Sequence, residues 1–203
     1  MASPKVTIID TGCANLSSVR YALERLDLNP IISNDKEVIN SSDKLILPGV
    51  GTAVAAMKSL KERELIDVIQ NLNKPLLGIC LGMQMLSCSS EESMSDDIKE
   101  IPCLGIVKGK VKPLKAEGLP LPHMGWNQVY SKDCPLFKDI KEGTYFYFVH
   151  SYALEVTEHT VATSTYGEEF TAVVNNGNFF GAQFHPEKSG AAGAQFLKNF
   201  INL

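Results

Sequence analysis

The sequence predicts an α/β fold, with a mixed, mostly parallel central sheet covered by helices on both faces. Three features predict it. Short apolar runs of strand length alternate with helical periodicity through the first hundred residues. Those runs are apolar on consecutive residues, as suits strands buried on both faces. No repeat or flexible linker divides the 203 residues, so one domain spanning 1–203 is expected.

The first strand is expected over 5–10, from the run Val6-Thr7-Ile8-Ile9. A helix over about 16–28 follows, because Leu16, Val19, Leu23 and Leu26 form one apolar stripe at helical spacing. Ile31-Ile32 and Leu45-Ile46-Leu47 read as buried strands joined by a short crossover. A long helix over about 52–71, capped by Thr52 or a neighbour, leads to Pro75 and the strand Leu76-Leu77-Gly78-Ile79. This order implies a parallel sheet. Beyond about residue 100 the texture becomes strand-like, over 104–114, 123–130, 144–150, 160–166, 171–175 and 179–184, and should extend the same sheet. A polar surface loop is expected over 91–97 and a final helix over about 189–200.

Composition narrows the function. The formal net charge is −4, with Lys and Arg scattered, so no basic stripe is available to neutralise a run of phosphates, and nucleic acid is not an expected partner. The N-terminus lacks the layout of a secretory leader, which points to the cytoplasm. No apolar stretch approaches the ~20 residues needed to span a bilayer. The cysteines at 13, 80, 88, 103 and 134 form no CxxC pair, which argues against a disulfide framework and a structural zinc site. No histidine cluster has metal-ligand spacing, so neither a metal nor a cofactor is expected.

The chemistry-bearing segment is Gly78-Ile79-Cys80-Leu81-Gly82, where a strand runs into a helix. A nucleophile on so tight a turn has a strained backbone, and side chains two residues to either side would collide, hence the glycines. N–H groups at the start of the helix would favour thiolate, and with a basic partner such sites bring a cysteine from about 8.5 to roughly 3.5–7.5. Read alone, the motif suits a buried cysteine between two glycines equally well. Further on, His185-Pro186-Glu187 follows an apolar strand. Pro186 restricts the backbone so that Glu187 can hold the imidazole tautomer while the other ring nitrogen exchanges a proton with the thiol. A surface His and Glu ahead of a helix would look the same. Pro48-Gly49-Val50-Gly51 follows another strand; its N–H groups, with that of Leu81, could stabilise an oxyanion.

With Pro-Gly-Val-Gly, Gly-Ile-Cys-Leu-Gly-Met-Gln and Phe-His-Pro-Glu-Lys-Ser in this order, the chain resembles the class I glutamine amidotransferases. Asp10-Thr11-Gly12-Cys13-Ala14-Asn15-Leu16, His123-Met124-Gly125-Trp126-Asn127 and Tyr147-Phe148-Val149-His150-Ser151-Tyr152 are similar to one branch, the glutaminase subunits of imidazole glycerol phosphate synthase. The resemblance runs essentially end to end. It implies a flavodoxin-like fold, a Cys80, His185, Glu187 triad and a γ-glutamyl thioester on Cys80. It also implies ammonia delivered to a (β/α)8-barrel cyclase subunit in a heterodimer of the histidine pathway. By motif position, Gly49, Gln84, Glu92, Ser151 and Tyr152 would bind glutamine, with Val50, Gly51 and Leu81 at the oxyanion. Asn15, Met124, Trp126, Tyr147 and Lys188 would face the cyclase. From the residues alone, Trp126 could equally be core, and His123, His150 and His159 structural or surface histidines. An autonomous cysteine hydrolase would keep the same triad, and a regulatory subunit with a fossil site would not need it.

Overall fold

The structure is a computed structural model that describes residues 3–12, 15–92 and 100–203. Cys13, Ala14 and positions 93–97 of the expected polar loop lie outside the described residues. The chain opens with β1 (Val6–Ile9), α1 (Leu16–Glu24), β2 (Ile31–Ser33), α2 (Lys36–Asn40) and β3 (Lys44–Gly49). It continues with α3 (Ala53–Glu62), α4 (Ile66–Gln70), β4 (Leu76–Cys80), α5 (Leu81–Met85), β5 (Ser89–Ser90), β6 (Ile101–Pro102) and β7 (Lys110–Pro113). The last part comprises β8 (His123–Ser131), β9 (Thr144–His150), β10 (Tyr152–Leu154), β11 (Thr160–Tyr166), β12 (Glu168–Asn176), β13 (Phe179–Ala182) and α6 (Gly190–Ile201).

Nine strands form one sheet in the order β2-β1-β3-β4-β13-β12-β11-β8-β9. The first five of these run parallel. The remaining four join antiparallel, so the parallel character stops at β13. Alternate side chains feed two cores. Ile46, Leu77 and Ile79 pack with Leu23 of α1 and with Phe196 and Phe200 of α6 on one face. Leu45, Leu47 and Leu76 pack with Leu60 of α3, Ile69 of α4 and Met83 of α5 on the other. Helices therefore cover both faces, as expected.

Four sequence expectations are corrected. The long helix over 52–71 is two helices, because Glu64 adopts φ +53°. There the N–H of Leu65 returns to Leu60 O at 2.9 Å and that of Glu64 to Lys61 O at 3.0 Å, the hydrogen-bond pair of a Schellman cap. The helix over 16–28 is cut short in the same way: Asp27 sits at φ +60°, and Leu28 N–H reaches Leu23 O at 3.2 Å. The strand over 104–114 shrinks to β7, its first half broken at Gly105 and Gly109, which take φ +65° and +115°. Nor does the whole second half extend the main sheet, since β10, β7, β5 and β6 form a separate four-stranded sheet.

Capping follows sequence chemistry. Thr52 Oγ1 accepts the Ala55 N–H at 3.3 Å to start α3, and Asp35 Oδ1 accepts those of Glu37 and Val38 at 2.7 and 3.2 Å to start α2.

Candidate active site

The C-terminal ends of β3, β4 and β13 lie side by side, with Gly49 in register with Cys80 and Ala182 with Ile79. Brought to one sheet edge, their following loops create a crevice where parallel α/β sheets place ligands. A cavity of about 310 Å³ opens there, lined by residues that include Cys80, His185, Gly49, Val50, Gly51 and Leu81.

Cys80 occupies the turn between β4 and α5 at φ +54°, ψ −112°, a conformation costly for a residue with a side chain. The glycines relieve the crowding. A Cβ on Gly78 would lie 2.7 Å from backbone atoms of Gly82, and one on Gly82 would lie 1.8 Å from Leu47 O. α5 is only five residues long, so what its start presents beside Cys80 is a first turn of free N–H groups rather than a long axial dipole. The sulfur has two weak contacts, both at 3.8 Å: it donates to Val149 O and accepts from Gln183 Nε2.

His185 leaves β13 through a single 3₁₀ turn, Pro186–Lys188. Its Nδ1 meets Glu187 Oε1 at 2.7 Å, with side-chain exposures of only 7% and 4%. Ser189 fastens this turn to β9 by donating to His185 O at 2.6 Å and accepting Tyr147 N–H at 3.0 Å. Nε2 of His185 and Oε2 of Glu187 are buried with no hydrogen-bond partner among the described residues, leaving Nε2 free to exchange a proton. Burial alone would lower the His185 pKa. The neighbouring Cys80 sulfur and Glu187 carboxylate outweigh it and raise the imidazole to about 10.

Gln84, Glu92, Ser151 and Tyr152 line the same cavity. Gln84 Nε2 donates to Tyr152 O at 2.8 Å and to Gln183 Oε1 at 2.9 Å. Glu92 Oε2 accepts the Ala53 N–H at 2.7 Å, so the carboxylate holds the first turn of α3; burial raises its pKa against that bond. Of the residues read as facing a partner, Met124 and Trp126 are 63% and 55% exposed. Trp126 meets Tyr147 edge-on at 6.1 Å, and Lys188 Nζ stands 6.0 Å over the Tyr147 ring. Asn15 is exposed and caps α1, accepting Ser18 N–H at 3.5 Å. Trp126 is thus not core.

Sequence reasoning missed a buried polar chain behind the cavity. Asn127 Nδ2 can only donate, so His123 Nε2, 3.4 Å away, accepts. His123 Nδ1 then donates to His150 Nε2 at 2.9 Å, and His150 Nδ1 donates to Tyr152 O at 2.9 Å. Both ends of the chain demand the same tautomers. Burial lowers His123 to about 4 and His150 to about 3, so both rings are neutral at pH 7. Through Gln84 and Gln183 the chain continues towards the sulfur. Its one sequence signal was a glutamine, Gln183, inside an otherwise apolar strand run.

A profile of the family "Glutamine amidotransferase class-I" matches residues 7–203. The chain belongs to the class I glutamine amidotransferase family. Among curated relatives, this amidotransferase is 58% identical over 200 residues to "Imidazole glycerol phosphate synthase subunit HisH" of Pectobacterium atrosepticum, covering 98% of this chain and 100% of that one. It is 55% identical over 204 residues to the protein of the same description from Vibrio parahaemolyticus, covering 100% of both. A solved structure of a putative GMP synthase subunit from Thermoplasma acidophilum shares the amidotransferase fold, with a TM-score of 0.74, 19% identity and coverage of 100% of this chain and 94% of that one. Among the described residues no group of three or more His, Cys, Asp or Glu side chains is disposed to hold a metal. No helix there is long and apolar enough to cross a membrane.

Proposed function

We propose that this chain is the glutaminase subunit of an imidazole glycerol phosphate synthase, a single cytoplasmic domain over 1–203 that releases ammonia from glutamine for a cyclase partner. The observation that carries the reading is the convergence of Cys80 and His185 on one cavity, with Glu187 bound to the far side of the imidazole at 2.7 Å. Identities of 58% and 55% to two proteins described as HisH subunits support the branch.

In the proposed reaction, Cys80 is a thiolate beside a protonated His185, a state favoured by the raised imidazole pKa. The sulfur attacks the side-chain carbonyl of glutamine. N–H groups of Val50, Gly51 and Leu81 stabilise the oxyanion, and His185 Nε2 gives its proton to the departing ammonia. Water, activated by the now neutral imidazole, hydrolyses the γ-glutamyl thioester and restores Cys80. Glu187 holds the ring and balances its charge. Gly49, Gln84, Glu92, Ser151 and Tyr152 bind glutamine; with both Gln84 N–H groups engaged, that side chain would offer its oxygen to the substrate.

The partner is a (β/α)8-barrel cyclase subunit in a heterodimer, docking on Asn15, Met124, Trp126, Tyr147 and Lys188. Exposed Met and aromatic residues concentrated on β8 and β9 support this, because such residues are enriched where proteins associate. The test is glutamate release with and without the cyclase partner and its nucleotide substrate. Release by the wild type should be weak alone and rise sharply on assembly, while Cys80→Ala stays at background. Equal rates for the two proteins would overturn the mechanism.

A further inference from the structure

The four-stranded sheet carries two thiols that this chemistry does not use. β5 and β6 pair antiparallel, with Ser89 opposite Pro102 and Ser90 opposite Ile101. Just beyond the paired residues stand Cys88 and Cys103, joined by a hydrogen bond from Cys103 N–H to Cys88 O at 3.0 Å, while Cys88 N–H turns to Gly109 O at 3.1 Å and its Sγ to Val107 O at 3.6 Å. Pro102, which has no N–H, falls on the non-hydrogen-bonded position between hydrogen-bonded ones. Antiparallel residues joined by such a cross-strand hydrogen bond have Cα atoms ~5.5 Å apart. That spacing lies within the roughly 4.4–6.8 Å that a disulfide bridges.

Both thiols are free, Cys88 exposed and Cys103 half-buried. Burial pushes the Cys103 thiol up to about 11; Ser87 opposes the shift, and Cys88 and Glu92 add to it. The exposed Cys88 is therefore the sulfur that meets an oxidant first, and Cys103 the one that resolves. The segment between them includes Glu92, whose carboxylate holds α3 and lines the cavity. A link between residues 88 and 103 would fasten the base of that segment.

We infer that Cys88 and Cys103 are a redox-responsive pair, which a low-molecular-weight disulfide converts into an intramolecular cross-strand disulfide. Cys88 thiolate attacks one sulfur of the oxidant and expels a thiolate, leaving a mixed disulfide. Cys103 gives up its proton and attacks the Cys88 sulfur, expelling the second thiol. Two protein thiols are oxidised and one small disulfide is reduced to two thiols. A reductant reverses the sequence.

The test uses the full chain carrying Cys80→Ala, so that the cavity thiol cannot compete. It is treated with oxidised glutathione, quenched by alkylation and mapped by peptide mass. The expected product has lost two hydrogens, retains no glutathione, and yields one species joining the Cys88 and Cys103 peptides that dithiothreitol separates. Adding Cys103→Ser should trap glutathione on Cys88, and adding Cys88→Ser should leave Cys103 unmodified over the same time. The oxidised protein should melt roughly 5–10 °C higher than the reduced one, the gain expected for closing a loop of this length. Stable glutathione on Cys88 with Cys103 present, a Cys88 bond between two chains, or no reaction at either thiol would overturn the inference.

Discussion

Alanine at Gly82 sets two physical effects against each other with opposite signs. Gly82 lies inside α5, and helix propensity alone makes Ala more favourable than Gly there by about 1 kcal/mol. Its Cβ would, however, stand 1.8 Å from Leu47 O and 2.9 Å from Leu47 C, both backbone atoms of β3. Reaching even 3.0 Å requires α5 to recede from β3 by about 1.2 Å, the difference between 3.0 and 1.8. No side-chain rotation relieves this. Overpacking of this kind costs typically 1–3 kcal/mol, so the net change should be destabilising, by up to roughly 2 kcal/mol, or several degrees in Tm. Because α5 begins at Leu81, the displacement falls on Cys80 itself. Misplacing a reacting group by about 1 Å costs on the order of a hundredfold in rate. Thermal melting and glutamate release from the assembled complex read the two consequences separately. A Gly82→Ala protein with raised Tm and wild-type turnover would refute the packing argument.

Glu187→Gln removes the charge that faces His185 Nδ1 at 2.7 Å. Turnover should fall on the order of a hundredfold or more, with KM for glutamine little changed and the His185 pKa, followed by NMR, dropping below its value of about 10; an unshifted titration would separate Glu187 from the base. Stability should decline on both sides of neutrality. His185 is raised above its unfolded value, so its contribution is full below about 6.5 and lost as pH climbs through about 10. His123 and His150, lowered to about 4 and 3, act on the other side: the unfolded chain binds their protons first, so stability falls as pH drops below about 6.5. The loss by pH 5 is roughly 2 kcal/mol per histidine, and urea titrations should show His123→Phe losing about half of this acid sensitivity; an unchanged acid slope would rule out these neutral rings. Glu92→Ala should cost about 1 kcal/mol by uncapping α3, as thermal melts would show. Glu92→Gln, which keeps an acceptor for the Ala53 N–H, should keep its Tm while raising KM for glutamine; equal Tm for the two variants would remove the capping role.

The parts of the site written as contiguous motifs were legible because each carries its own steric or electrostatic logic. Gly78 and Gly82 flank Cys80 because a Cβ at either would strike backbone, and His185 reaches Glu187 because they lie two apart across a proline. Gln183, His123 and His150 were not legible as a group. The contacts that join them cross between elements: Gln183 meets Gln84 of α5, His123 of β8 meets His150 of β9, and His150 reaches the Tyr152 carbonyl at the start of β10. Nothing in the spacing of 84, 123, 127, 150 and 183 encodes that convergence. The helix ends at Glu64 and Asp27 were hidden for a different reason, since those left-handed positions hold acidic residues where glycine would have advertised a stop.

By itself, the sequence determined the periodicities, the cap at Thr52 and the residue types able to do thiol chemistry, all of which depend on neighbours within a few positions. Tertiary structure alone decided that the sheet turns antiparallel after β13, that β5, β6, β7 and β10 separate into a second sheet, and that Cys103 N–H comes to meet Cys88 O. Strand pairing is the reason. An apolar run specifies which side chains it must bury, but its backbone N–H and C=O groups can be satisfied by any partner strand, and the choice is made only when the whole core packs.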